Sequence, residues 1–153
     1  MQYWSADTAR LPEVLPPLFA FLQRLATSGR DTAREMYGCG GWVAHGFTDG
    51  YMPTGVTGAY IWALCVTCGA WIALHVWDHL TYSMDLAVVT DHLLPLFHGI
   101  SVFFTEYMWT DNNGQLHTGP TTSPENSYST KGGDAFQLSM TPAIDMSVLR
   151  QVG

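Results

Sequence analysis

The chain has 153 residues, enough for one domain, and 47% of them are hydrophobic, so a sizeable core is available. Only 12% are charged, about half of the roughly 25% usual in soluble domains, which means much of the surface expects to be covered. Net charge is −7 and the six Lys plus Arg form no cluster, which excludes the positive footprint that nucleic-acid phosphates require.

The N-terminus, Met1 to Asp7, has no basic region followed by an apolar stretch, so no export signal is visible. Leu15, Leu18, Leu22 and Leu25 then recur at helical spacing. Pro16 and Pro17 fit the first turn, where a missing N–H costs little, and Gly29 is expected to stop the helix. A short helix over Asp31 to Tyr37 should follow, leading into a loop from Gly38 to Asp49. A second long helix is predicted from about Gly58 to Tyr82. Its core, Tyr60 to Trp77, is apolar on most sides, as in a membrane span or a helix buried all round. Thr67, Gly69 and His75 interrupt the run, Asp78 and His79 close it, and no basic flank is present, so a buried helix is expected and no membrane span.

A third helix is predicted from about Asp91 to Met108, with the stripe Leu94, Phe97, Ile100, Phe104 and Tyr107 and with Pro95 in the first turn. The segment from Asp111 to Asp134 reads as irregular. A last helix should start near Thr141-Pro142, Thr as N-cap and Pro at the first position, and is still in progress at Gly153. No alternating strand runs are visible. The expected fold class is all-α, built from helical hairpins with long loops at one end, and loops this long in a compact domain are usually functional when they are ordered. The three cysteines, Cys39, Cys65 and Cys68, are an odd set that argues against a closed disulfide framework. Cys65-x-x-Cys68 falls in a helical run without a second pair, so all three are expected to be buried free thiols.

Three segments carry chemistry-bearing residues. In Thr118 to Tyr128, Glu125 is the only acidic residue, Gly119, Pro120 and Pro124 fix the backbone, and hydroxyl and amide groups flank it. Such a loop holds a carboxyl at a set angle, as a glycosidase acid requires, or is a surface loop with an incidental Glu. The loop Gly41 to Asp49 offers Trp42 beside His45, Thr48 and Asp49. An aromatic face next to hydrogen-bonding groups suits a sugar, and the same residues also suit a buried Trp with a structural His. His75-Val76-Trp77-Asp78-His79 spaces two imidazoles one helical turn apart, near the inverted zinc-protease pattern but with Asp in place of Glu. Zinc would need a third ligand such as His45 or His117, to which nothing points, so no metal site is expected.

These residues also bear a family resemblance. Tyr3-Trp4-Ser5-Ala6-Asp7 resembles a Tyr-Trp-Pro-Ala-Glu block. Arg34 to Gly38, Gly41 to His45, Thr48-Asp49, Gly69-Ala70-Trp71, His75 to His79 and Gly119 to Asn126 follow in order. Together they resemble glycoside hydrolase family 95, whose best-known members are inverting α-L-fucosidases acting on terminal 1,2-linked fucose; some relatives prefer α-L-galactosides. The resemblance implies a partial (α/α)6 toroid, with the pocket at one end. It implies that Glu125 is the general acid, protonating the leaving oxygen, with Asn126 in support. Trp42, His45, Asp49, Trp71 and His75 are the expected substrate-binding residues. No cofactor is implied.

The family's base side, an Asn-x-Asn pair and an Asp, would fall before Met1 and beyond Gly153, because Met1 matches an internal position. The expected partners are therefore a fucosylated glycan and the remainder of the same catalytic domain, and the isolated chain is expected to be inactive. A non-catalytic helical carbohydrate-binding or interaction remnant is the rival reading. Family members usually act outside the cytoplasm. Where the family often has His-His-Asn-Thr-Asp, this chain has His45-Gly46-Phe47-Thr48-Asp49, which leaves subsite detail open; Ser5 and Asp7 stand where the family has Pro and Glu.

Overall fold

The computed structural model describes residues 2–152, so the match of Met1 to an internal position and the continuation past Gly153 lie outside the described residues. The chain is mostly helical. Four long helices, α1 (Pro16–Tyr37), α3 (Cys68–Ser83), α5 (Leu94–Tyr107) and α6 (Ala143–Val152), are joined by the short helical turns α2 (Tyr60–Ala63) and α4 (Leu86–Val88). Six two-residue strands, β1 (Trp109–Thr110), β2 (Leu116–His117), β3 (Thr121–Thr122), β4 (Tyr128–Ser129), β5 (Ala135–Phe136) and β6 (Leu138–Ser139), pair antiparallel as β1–β2, β3–β6 and β4–β5. The all-α expectation is corrected to that extent: these ladders are too short to leave an alternating pattern in sequence.

Helix α1 starts at Pro16-Pro17 as expected and buries Leu18, Leu22 and Leu25. Gly29 does not stop it. The helix runs through to Tyr37 and ends at Gly38, whose left-handed φ of 66° closes the last turn. Gly29 is there for close approach: a Cβ on it would come within 2.7 Å of the Val43 carbonyl and 3.2 Å of the Trp42 ring. The Gly58–Tyr82 helix is broken in two. Residues 64–67 leave the helix between α2 and α3, and Cys65, Val66 and Thr67 in the break are fully buried. The third helix begins earlier than predicted. Asp85 caps Ala87 N–H at 2.9 Å, and a π-helical turn, Val89–Leu93, feeds α5. Pro95 has no N–H for the carbonyl of Asp91, and the Gln23 side-chain amide from α1 donates to that oxygen at 2.8 Å instead. Thr141 does not cap α6 as expected: its hydroxyl is engaged with His117 Nδ1 at 2.9 Å and Thr118 N–H at 3.3 Å.

The core gathers Leu18, Leu22 and Leu25 of α1, Ala70, Ala73 and Val76 of α3, Leu96, Ile100, Phe103 and Phe104 of α5, and Val148 of α6. At its centre lies a non-helical segment, residues 42–45, buried throughout and followed by the exposed Gly46. Its backbone is laced to four helical elements: Trp42 N–H donates to the Gly99 carbonyl (3.2 Å), Val43 N–H to Gly29 (3.3 Å), Gly46 N–H to Ala63 (3.1 Å), and Gly69 N–H donates to the Ala44 carbonyl (2.9 Å). An irregular segment can be buried only if its polar groups are paired in this way. The cysteine expectation is also corrected: Cys65 and Cys68 form a disulfide across the α2–α3 break, and Cys39 alone is a buried free thiol.

Candidate active site

Three segments converge on the break at residues 64–67. The first is the Glu125 loop. Thr122 donates to the Leu64 carbonyl through both its N–H and its hydroxyl, each at 2.7 Å. The β3–β6 ladder pairs Thr121 with Ser139 and Thr122 with Leu138, which fixes one arm of the loop. The other arm is the β4–β5 hairpin, whose Tyr128 hydroxyl donates to the Leu138 carbonyl at 2.8 Å. Between the arms, Ser123 to Asn126 forms a tight turn closed by Asn126 N–H on the Ser123 carbonyl at 2.7 Å. The Pro124–Glu125 peptide within it is cis. Glu125 is therefore at the tip of a turn, exposed, and its carboxylate has no hydrogen-bond partner among the described residues. Asn126 folds back, its side-chain amide 3.4 Å from both Ser123 Oγ and the Pro124 carbonyl, so it braces the turn.

The second segment is the Trp42–Thr54 loop. Trp42 points into the core, only 3% exposed, and its indole N–H donates to the Leu96 carbonyl at 3.0 Å. Three glycines, Gly29, Gly69 and Gly99, on three different helices, border its ring; a Cβ on Gly99 would lie 2.5 Å from Trp42 Cδ1. His45 is equally buried. A carbonyl accepts only, so the 2.7 Å contact from His45 Nδ1 to the Thr54 oxygen requires the proton on Nδ1; Nε2 then accepts from the Tyr37 hydroxyl at 2.6 Å. Asp49 is exposed and turns the loop back, accepting Tyr51 N–H at 2.7 Å.

The third segment is the outer face of α3. Trp71 and His75 are one turn apart and, with Tyr3, Trp4, Cys68 and Ile72, line a mostly apolar cleft of about 430 Å³. Trp71 is 41% exposed and Trp4 56% exposed, so two indoles face solvent here. The structure thus brings Trp71 and His75 together at one cleft and puts Glu125 and Asn126 on one turn. It turns Trp42 and His45 inward, away from solvent.

The family-95 catalytic-domain profile, described as "Glycosyl hydrolase family 95 catalytic domain", matches residues 1–153. The chain belongs to glycosyl hydrolase family 95. Alpha-L-fucosidase 2 of Arabidopsis thaliana is 34% identical over 99% of this chain, and Probable alpha-fucosidase A of Aspergillus niger is 31% identical over 82% of it. The family-95 segment spans only 18% and 16% of the lengths of these two relatives.

Two placements around these candidate residues are not legible from local sequence. Tyr3 and Trp4 belong to the N-terminal block already noted, but their place in the cleft beside Trp71 and His75 is purely tertiary. Asp145 on α6 is fully buried, accepting the Thr67 hydroxyl on Oδ1 at 2.9 Å and the Thr118 hydroxyl on Oδ2 at 2.7 Å. An Asp in a first helical turn ordinarily reads as a solvated partner of the helix dipole. The imidazoles of the other motifs have their own structural partners: His79 Nδ1 meets Asp7 at 2.7 Å, and His117 lies between Thr141 and Asp111.

Burial moves the titrating groups in predictable directions. Asp145 is raised above 3.8 by desolvation, against the two threonine hydroxyls that lower it. Tyr107 is pushed up to about 12 by burial. His45 is held below 6.5 by burial, its bond to Thr54 opposing this; His75 is lowered by burial too. For a histidine depressed in the folded state, the stabilising contribution is complete above the unfolded value of 6.5 and is lost as pH falls through the folded value. The unfolding midpoint of the chain should therefore fall as pH drops from about 6.5. His45→Gln should reduce that slope by at most one proton, about 1.4 kcal/mol per pH unit. An unchanged slope in His45→Gln would mean that folding does not lower the proton affinity of His45.

Proposed function

We propose that this segment supplies the acid half of an exo-glycosidase active site that removes a terminal, 1,2-linked α-L-fucose from glycans with inversion. In this reading the helices form part of an (α/α)6 toroid, with the remainder of the catalytic domain as the partner that closes it. Glu125 protonates the glycosidic oxygen as the bond breaks, and a base elsewhere in that domain activates the attacking water on the opposite face of the sugar. The observation that carries the proposal is the Ser123–Asn126 turn: it offers one unpartnered carboxyl to solvent at the end of two anchored arms.

The apolar C–H face of fucose suits the exposed indoles of the Trp4 and Trp71 cleft, with His75 in reach of a hydroxyl. Asp49, exposed on its own loop, is free to meet a hydroxyl, and Asn126 braces the turn behind the acid. Trp42 and His45 act at one remove, as the packed and hydrogen-bonded base on which the loop stands.

Proton NMR of the first product tests the stereochemistry. The complete catalytic domain carrying this segment, given 2′-fucosyllactose, should release β-L-fucose first. Initial α-anomer would mean a retaining mechanism with a nucleophilic carboxylate near Glu125. Preference for an α-L-galactoside over the fucoside would keep the chemistry and change the substrate. Sugar binding without turnover would favour a non-catalytic module.

A further inference from the structure

Asp145 joins two things that the proposed mechanism must hold in register. Its Oδ2 accepts the hydroxyl of Thr118, the first residue of the acid loop, and its Oδ1 accepts the hydroxyl of Thr67, which immediately precedes α3. All three side chains have no solvent exposure. Thr118 is also clasped by Thr141, whose N–H donates to the Thr118 carbonyl at 3.0 Å. From Thr118 the chain passes Gly119, where a Cβ would collide with Met140 Sδ at 2.9 Å, into β3 and then the Glu125 turn. From Thr67 the chain enters α3, which carries Trp71 and His75 to the cleft. One buried carboxylate thus fixes the root of the acid loop to the root of the sugar-facing helix.

We infer that Asp145 is a positioning residue for the reaction, setting the reach of Glu125 toward a sugar held against α3 by locking Thr118 to Thr67. This rests on Glu125 being the general acid. The role is geometric: a buried side chain with two acceptors spans two hydroxyls, and no charge needs to change during turnover. An asparagine of the same shape can accept from one threonine and donate to the oxygen of the other.

The test uses the complete catalytic domain carrying this segment, with two substrates. 2′-Fucosyllactose has a poor leaving group and needs the acid; an aryl α-L-fucoside with an acidic phenol needs it little. Asp145→Ala should lower kcat on 2′-fucosyllactose on the order of 10²-fold, as a misplaced catalytic group does, with KM little changed and the aryl fucoside turned over nearly normally. Asp145→Asn should restore most of the loss. Thr118→Val, which removes one hydroxyl isosterically, should give the same leaving-group signature even if Asp145→Ala fails to fold. Hydrogen exchange should quicken at the Thr122 and Asn126 amides in these variants while α1 stays protected.

Equal losses on both substrates, an Asn variant as impaired as Ala, or unaltered exchange at Thr122 and Asn126 in Thr118→Val would overturn the inference. If Glu125→Gln itself shows no leaving-group dependence while exchange at the loop still responds, the acid assignment has failed and the anchoring stands.

Discussion

Glu125→Gln is expected to lower turnover of 2′-fucosyllactose by about 10²- to 10⁴-fold in the complete catalytic domain, the range a general acid supplies. Gln has the size and hydrogen-bonding outline of Glu but no proton to give. The turn does not depend on the carboxylate: it is closed by Asn126 N–H on Ser123 and held by Thr122 on Leu64, all main-chain or threonine contacts. The substitution should therefore leave folding and fucose binding intact. The loss should shrink on an aryl fucoside whose phenol departs without protonation. Steady-state kinetics on the two substrates, with fucose affinity by calorimetry, makes the measurement. Near-normal turnover of the natural linkage would sink the assignment and move the acid to another carboxyl.

Trp42→Ala should cost about 3–5 kcal/mol of stability, typical of truncating a buried Trp. Its ring fills a space bordered by α1, α3 and α5, a space that exists because each presents a glycine there. Neighbours cannot collapse into the gap without drawing three helices together, and the Leu96 carbonyl loses the indole donor. Trp42→Phe should cost less, since it retains most of the apolar volume. Urea unfolding of the chain with each variant decides this. A Trp42→Ala variant as stable as the parent but weak in sugar binding would return Trp42 to the pocket surface.

The sequence was most legible where residue chemistry is local. Pro16-Pro17 marks the start of α1, and Gly119, Pro120 and Pro124 mark a constrained turn around Glu125. The Leu15–Leu25 spacing does describe the buried face of α1. Legibility failed where a residue answers to a distant partner. Gly29 looks like a stop signal and is instead a contact surface for Trp42 and Val43, which lie beyond the helix end. The break at residues 64–67 has no Gly or Pro to announce it; it is paired with Thr121 and Thr122, more than fifty residues later. Asp145 drew no notice because nothing nearby in sequence reveals its partners Thr67 and Thr118. For Trp42 and His45, the aromatic-plus-polar pattern serves a sugar face and a buried clasp alike, and only burial separates them.

The glycine cradle around Trp42 also gives the molecule an internal optical probe. The other five tryptophans, Trp4, Trp62, Trp71, Trp77 and Trp109, are 41–56% exposed. Iodide or acrylamide should extinguish their emission and leave a blue-shifted remainder from Trp42 alone, absent in Trp42→Phe. Because that ring touches three helices at once, the residual colour reads out whether the bundle is closed. Light from the quenchable population, which includes both indoles of the cleft, would instead report a sugar arriving.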